Sequence, residues 1–440
     1  MKRMNRLARA RPNQARKAQK APPTAPSEER ELLITAMGAR GDSTAEGADG
    51  VIFAPCALPG ERVRARVAGA RAEVIEVLAA SPERQEPHCR HFGRCGGCQL
   101  QHWQEGPYLA WKRHQVIDAL TKRGLGGAVV EPTIPAWGLG RRRAAFHAAR
   151  QNGQVRIGFI ERGGARLTPI TQCPVLVPQL EALALMLAPL AEMTLPSRGE
   201  ITIHCLLTDS GVDVAIKGAG RADLLHRAAL EGLSNLATKL NLARLSIDGE
   251  PIVERDKPRL RMGRAIVAPP PGAFLQPTAL GEETLARLTL EALQGANRVI
   301  DLFSGIGTFA LRIAEQAEVL AAESDADMLA ALKQAADGAG GALKQVTTLR
   351  RDLLRTPISS LEMKKFDGAV LDPPRSGARL QAEQIARAPV RKLAYVSCDP
   401  ASFARDVKVL IEHGFTLTKI TPVDQFRWSP HVEVVGAMER

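Results

Sequence analysis

Aromatic side chains are scarce in this chain: tryptophan, tyrosine and phenylalanine together make up 4% of 440 residues, and only two are tyrosine. That leaves little for broad platforms on which nucleic-acid bases stack. No run reaches the ~18 apolar residues that a membrane span needs. The most apolar helix-like stretch, 180–190, is interrupted by Glu181 and Pro189. The N-terminus has no apolar core, so no secretory signal is expected. Pro12, Pro22, Pro23 and Pro26 leave little room for an amphipathic transit helix. Acids are missing from residues 1–20, which hold eight Lys/Arg; taking those eight from the net +12 leaves +4 for residues 21–440. The high isoelectric point therefore reports a basic tail on a mildly basic body. Such a tail is expected to be disordered, and either touches phosphates without sequence preference or is simply solvated. The seven cysteines are odd in number and clustered, which argues against a disulfide framework. Metal-binding or catalytic thiols in a reducing, cytoplasmic compartment are expected instead.

What is present divides the chain. Residues 1–29 are a low-complexity Ala/Arg/Pro/Lys segment. Within 30–84, short β-favouring runs (32–35, 50–54, 62–67, 72–77) alternate with Gly- and Pro-bearing turns, the pattern of a small β-barrel. Residues 85–275 begin with a cysteine cluster. A helix is expected over 111–124, then short strands (154–160, 200–206, 212–217) mixed with helices (179–190, 222–233), an α+β grammar. From 276 to 440, apolar strands (299–301, 318–323, 367–372, 393–397) alternate with helices (308–316, 326–336, 400–413). Buried strands between helices indicate a parallel α/β sheet of Rossmann-like type.

In that last region, Arg298-Val-Ile-Asp-Leu-Phe303-Ser-Gly305-Ile-Gly307-Thr308-Phe309 reads as strand, glycine turn and helix start. Thr308 is placed to cap the helix. Glu323 ends the next strand, where an acid that binds ribose belongs. The third glycine of the dinucleotide fingerprint is missing, so pyrophosphate binding is disfavoured. The spacing resembles class I S-adenosylmethionine methyltransferases. Asp352, after a third strand, sits either near an adenine or in a simple cap.

Three polar segments fall at or near strand ends: Asp372-Pro373-Pro374-Arg375, Ser397-Cys398-Asp399-Pro400 and His431-Val432-Glu433. Ligands of open α/β sheets bind at the carboxyl ends of strands, so the three segments are candidates for one pocket. Carbon 5 of uracil is too weak a nucleophile to attack a methyl sulfonium unaided. A thiolate adding to carbon 6 activates it, and Cys398 suits that role if its pKa is lowered. Glu433 is the candidate base for the carbon-5 proton. Asp372 would face the uracil edge or the cofactor's amine, and Arg375 an RNA phosphate.

Taken together these residues resemble the RNA uracil-5-methyltransferase family from about residue 31 to the C-terminus. Residues 50–63 are similar to a TRAM domain, an RNA-binding barrel. Phe274-Leu-Gln276 resembles the family's F-x-Q motif, which implies that Gln276 touches the cofactor. Phe303 and Thr308 match cofactor-lining positions, Cys398 the nucleophile and Glu433 the base. Three departures stand out: Thr278 and Asp399 where Asn is common, and Asp424-Gln425-Phe426-Arg427-Trp428 in place of D-M-F-P. Cys89, Cys95 and Cys98, with Cys173 later in the chain, suit zinc or an iron–sulfur cluster by spacing alone. The resemblance implies a [4Fe–4S] cluster with a structural or RNA-recognition role. His88 and His91 are read as bystanders, and Cys56 and Cys205 as core or surface thiols. The implied partner is RNA, with 23S ribosomal RNA favoured over transfer RNA and no obligate protein partner. A cytosine-C5 methyltransferase lacks its Pro-Cys motif here. A radical enzyme would need C-x3-C-x2-C, and a non-catalytic RNA-binding module would need neither Cys398 nor Glu433.

Overall fold

The computed structural model describes residues 27–164, 166–220 and 227–440, in two compact units. The expected basic tail lies outside the described residues, apart from its last few; a strand already begins at Glu28.

The first unit is a closed barrel of five strands: Glu28–Met37, Ser43–Gly47, Gly50–Ala54, Arg62–Ala68 and Arg71–Ala79. In Arg62–Ala68 burial alternates strictly, with Val63, Ala65 and Val67 inward and the arginines outward, the period-2 pattern of a strand with one face in a core. The outward arginines are answered by acids: Arg62 by Glu31, Arg64 by Glu76, and Arg66 by Glu29 and Glu73. Glu61 is fully buried and accepts from the Leu58 and Ser81 amides.

The second unit holds two large sheets. One has seven strands in the order Glu250–Glu254, Leu242–Ile247, Gly211–Lys217, Glu200–Thr208, Arg143–Gln151, Gln154–Ile160 and Leu167–Pro169. The apolar run expected as one helix over 179–190 is two short helices, Pro178–Ala184 and Ala188–Thr194. Proline lacks the amide that a continuous helix needs, and Pro189 sits where a new first turn tolerates it. The expected helix over 222–233 appears as Arg227–Lys239, its start lying outside the described residues.

The other sheet has eight strands in the order Val346–Arg350, Glu318–Glu323, Arg298–Leu302, Gly368–Leu371, Lys392–Ser397, Glu433–Glu439, Thr416–Asp424 and Ile134–Pro135. The first five are mutually parallel, and all four residues of Gly368–Leu371 are buried, as fits a strand covered on both faces. Strand order reverses between Arg298–Leu302 and Gly368–Leu371, which opens a crevice at their carboxyl ends. Helix Glu105–Thr121 packs on helix Pro400–Glu412 against this sheet.

Candidate active site

The glycine turn leaves the sheet at the switch point. Phe303 has φ +67°, a left-handed backbone that costs a non-glycine residue energy and collects at functional sites. Gly307 has φ +99°, and a Cβ there would lie 2.9 Å from Leu311 and Leu332 side-chain carbons, so only glycine fits. A Cβ on Gly305 would meet nothing within 4 Å, which leaves open space along the turn. Thr308 is not the expected cap. The helix begins at Ala310, its cap residue is Phe309, and no side chain caps it. That helix runs only to Ile313, against the expected 308–316, because the chain turns directly to the Glu318–Glu323 strand. Glu323 accepts from the Gly305 amide at 3.1 Å and the Ser324 amide at 2.6 Å, tying the turn to the next strand. Asp352 accepts weakly from the Leu354 and Arg355 amides and so caps its own turn.

Asp301, for which no role is expected from the sequence, is fully buried under the turn, facing the Ala310 amide. Burial, opposed by that amide and reinforced by the charge of Glu323, pushes it up to about 7. An ionisable group inside an apolar strand was the signal available.

Cys398 follows strand Lys392–Ser397 and precedes helix Pro400–Glu412. Asp399 caps that helix by accepting from the Ser402 amide at 2.8 Å, a task that Asn would serve equally. The neighbouring antiparallel strand pairs Val434 with Ser397, so the next step of the register sets Glu433 beside Cys398. Gly368–Leu371 pairs in parallel with Lys392–Ser397, which brings Asp372 to the same edge. The structure therefore brings the three segments together at one sheet edge. Burial, then the charges of Glu433 and Asp372, push the Cys398 thiol up to about 12. The lowered pKa on which its role was conditional is not present at rest: burial, with the two acids beside it, outweighs the exposed Arg375. Glu433 is itself pushed up to about 7 by burial, against a hydrogen bond from Gln425 and the charge of Lys112. Asp372 is held well above the carboxylate range by burial and by Glu433 and Asp301. Arg375 lies 3.3 Å from His431 Nδ1 and reaches toward Asp399.

Behind this edge lies a buried polar group that the sequence did not reveal. Lys112, on helix Glu105–Thr121, forms an ion pair with Asp424 in which both side chains are fully buried. Asp424 also accepts from Tyr108 Oη at 2.7 Å and Trp137 Nε1 at 2.8 Å. Lys112 donates onward to the His431 carbonyl at 2.6 Å, fixing the loop before Glu433. Gln276 is buried, and its Oε1 accepts from Gln425 Nε2 at 2.7 Å. Thr278 caps helix Ala279–Ala292 by accepting from the Gly281 amide, as the more usual Asn would.

Cys89, Cys95, Cys98 and Cys173 all line one cavity of about 720 Å³, with Arg141, Arg143 and His204 on its walls. The His91 amide approaches Cys89 Sγ and the Gly97 amide Cys95 Sγ, each at 3.4 Å. The sulfurs are not drawn together as ligands: among the described residues no group of three or more His, Cys, Asp or Glu is placed to hold a metal ion. His91 bonds Thr171, and His88 stacks on Trp428. Cys205 is buried, and Cys56 is partly exposed. No helix among the described residues is long and apolar enough to cross a membrane.

Residues 262–440 match the family described as tRNA (Uracil-5-)-methyltransferase. The chain is 46% identical over 421 residues to an uncharacterized RNA methyltransferase of Caulobacter vibrioides, covering 93% of this chain and 100% of that one. It is 34% identical over 443 residues to the 23S rRNA (uracil(1939)-C(5))-methyltransferase RlmD of Halomonas elongata, covering 93% and 89%. Among solved structures, the tRNA (uracil-54, C5)-methyltransferase of Pyrococcus abyssi, in complex with S-adenosyl-L-homocysteine, matches with a TM-score of 0.71 at 21% identity. That match covers 93% of this chain and 100% of the other, and the likeness is one of fold.

Proposed function

Because this chain belongs to the uracil-5 RNA methyltransferase family, we propose that it methylates carbon 5 of a uridine in 23S ribosomal RNA through a covalent Cys398 adduct. The observation that carries this reading is the strand register that sets Glu433 beside Cys398 at the switch-point edge.

S-adenosylmethionine, when bound, supplies an electrophilic methyl group. The residues fit it: open space along Gly305, an acid at the end of the next strand, and a buried Asp301 beneath the turn. Phe303, Thr308, Glu323 and Gln276 would line it, with Asp352 toward the adenine and Asp372 toward the amine or the uracil edge. Cys398 Sγ loses its proton to solvent and bonds to carbon 6 of the uracil; the 5,6 π pair is displaced into the enolate, which makes carbon 5 nucleophilic enough to take the methyl. Glu433 then removes the carbon-5 proton. The electron pair of that bond forms the 5,6 double bond, and the Cys398 thiolate leaves. The raised thiol means that the resting site holds neutral sulfur.

Cys89, Cys95, Cys98 and Cys173 are the proposed ligands of a [4Fe–4S] cluster. Four thiols around one cavity, with backbone amides toward two of the sulfurs, fit such a group. The choice of ribosomal RNA draws on the 34% identical relative, together with the TRAM-like barrel and the cysteine cluster. The proposed organisation is barrel over 30–84, cluster-bearing RNA-binding region over 85–275 and methyltransferase domain over 276–440, in a cytoplasmic protein.

The test is incubation with methyl-labelled S-adenosylmethionine and, separately, unmodified 23S ribosomal and transfer RNA transcripts. Label recovered as 5-methyluridine in ribosomal RNA is expected. Label confined to transfer RNA would keep the reaction and overturn the substrate. Label on neither, with the protein folded and its iron content intact, would overturn the reading.

A further inference from the structure

Glu433 has a difficult task if it is the base. It must be a carboxylate when the carbon-5 proton is removed, yet it is buried, with Asp372 and the Cys398 sulfur on the adjoining strand ends. A carboxylate taken from water without donors prefers to be protonated. Among the groups facing it, Lys112 on helix Glu105–Thr121 acts only through its charge, since its own bonds go to Asp424 and to the Phe426 and His431 carbonyls. His431, two residues away, faces Arg375.

Among the described residues, the one side chain seen donating to Glu433 is Gln425. It is fully buried, and its Nε2 lies 3.1 Å from Glu433 Oε1 and 2.7 Å from Gln276 Oε1. An amide nitrogen carries two hydrogens, so one nitrogen serves both acceptors. Its own Oε1 has no hydrogen-bond partner. The amide is confined from behind by Gly281, where a Cβ would lie 2.5 Å from Gln425 Oε1. A buried carbonyl left unpaired costs free energy, so the side chain is held here for what its nitrogen does. Reversing the amide would turn its oxygen on the Glu433 carboxylate.

We infer that Gln425 is the positioning residue for Glu433: its single amide nitrogen aims the carboxylate, favours its ionised form, and joins it to Gln276 on the cofactor side of the site. The inference rests on the base role proposed for Glu433.

The sign follows from the donor's removal. Turnover needs ionised Glu433, so it rises with pH through a limb near 7. Gln425→Met keeps the volume and removes the donor, which favours the protonated acid. The limb should move to higher pH by about one unit, with turnover at pH 7 falling about fivefold and at lower pH approaching about tenfold. A covalent protein–RNA adduct should accumulate at neutral pH and clear as pH rises, because only proton removal is slowed. Gln425→Glu, which adds a like charge without changing shape, should move the limb further in the same direction. The measurement is a pH profile of single-turnover release of free methylated RNA, with the adduct resolved by denaturing electrophoresis, for wild type, both variants and Glu433→Gln. A uniform loss at every pH without adduct would make Gln425 a packing residue and overturn the inference. So would an unmoved limb in both variants. Should Glu433→Gln itself trap no adduct, the base role fails first and the inference falls with it. Trapping by Glu433→Gln together with unmoved Gln425 variants would overturn the inference alone.

Discussion

Cys398 lies one residue past the end of its strand, in the short gap before a capped helix. Burial, with the adjoining acids, favours its neutral form at rest. Cys398→Ala should lower methylation by roughly a thousandfold or more, since removing a nucleophile leaves only binding and orientation. Binding of S-adenosylmethionine, measured by calorimetry, should persist, because the proposed cofactor residues come from other strand ends. Turnover near the wild-type rate would end the covalent mechanism. Asp301 shows why residue-scale reading of a sequence is incomplete. It sits in a strand whose apolar neighbours announce burial, but nothing local tells whether a buried acid has a partner.

At the scale of elements, the loop carrying His431 and Glu433 depends on a helix more than 300 residues earlier in the chain. Lys112 and Asp424 bury opposite charges completely, and Lys112 also holds the His431 carbonyl. Breaking a buried pair strands the other charge, so Lys112→Met should cost about 3–5 kcal/mol in denaturant unfolding. The double variant Lys112→Met with Asp424→Leu should recover part of that loss, which a two-variant cycle measures. Full additivity of the two single losses would mean that the pair is not coupled. The parallel strands and their glycine turn were legible, because apolar runs between helical periods are local signals. Cys398, Glu433 and Asp372 were legible as segments, and the strand register then joined them. Lys112 was not legible: a lysine in a helix reads as a solvated face unless its distant partner is known. Thr308 was misread as a cap, and the raised Cys398 thiol was not legible, for a related reason. Where a helix begins, and which charges face a thiol, are set by tertiary neighbours that no local spacing reports.

The second unit draws its eight-stranded sheet from both ends of its sequence, since Ile134–Pro135 pairs with the Thr416–Asp424 strand far along the chain. The cysteine cavity ties the same span in another way. Cys98 and Cys173 are 75 positions apart, counted as 173 minus 98, yet both face one space. A cluster bound by all four thiols would close that loop in the unfolded chain, as any cross-link does. By the loop-closure relation such a constraint contributes about 4 kcal/mol. Cys173→Ser should therefore lower iron and sulfide content and reduce unfolding free energy by an amount of that order. Methyl transfer to RNA should weaken through the RNA affinity, since Arg141, Arg143 and His204 share the cavity wall, while S-adenosylmethionine binding stays unchanged. Iron content equal to wild type would remove Cys173 from the ligand set. Normal stability and RNA affinity in a protein shown to have lost its iron would leave the cluster without the structural role assigned to it.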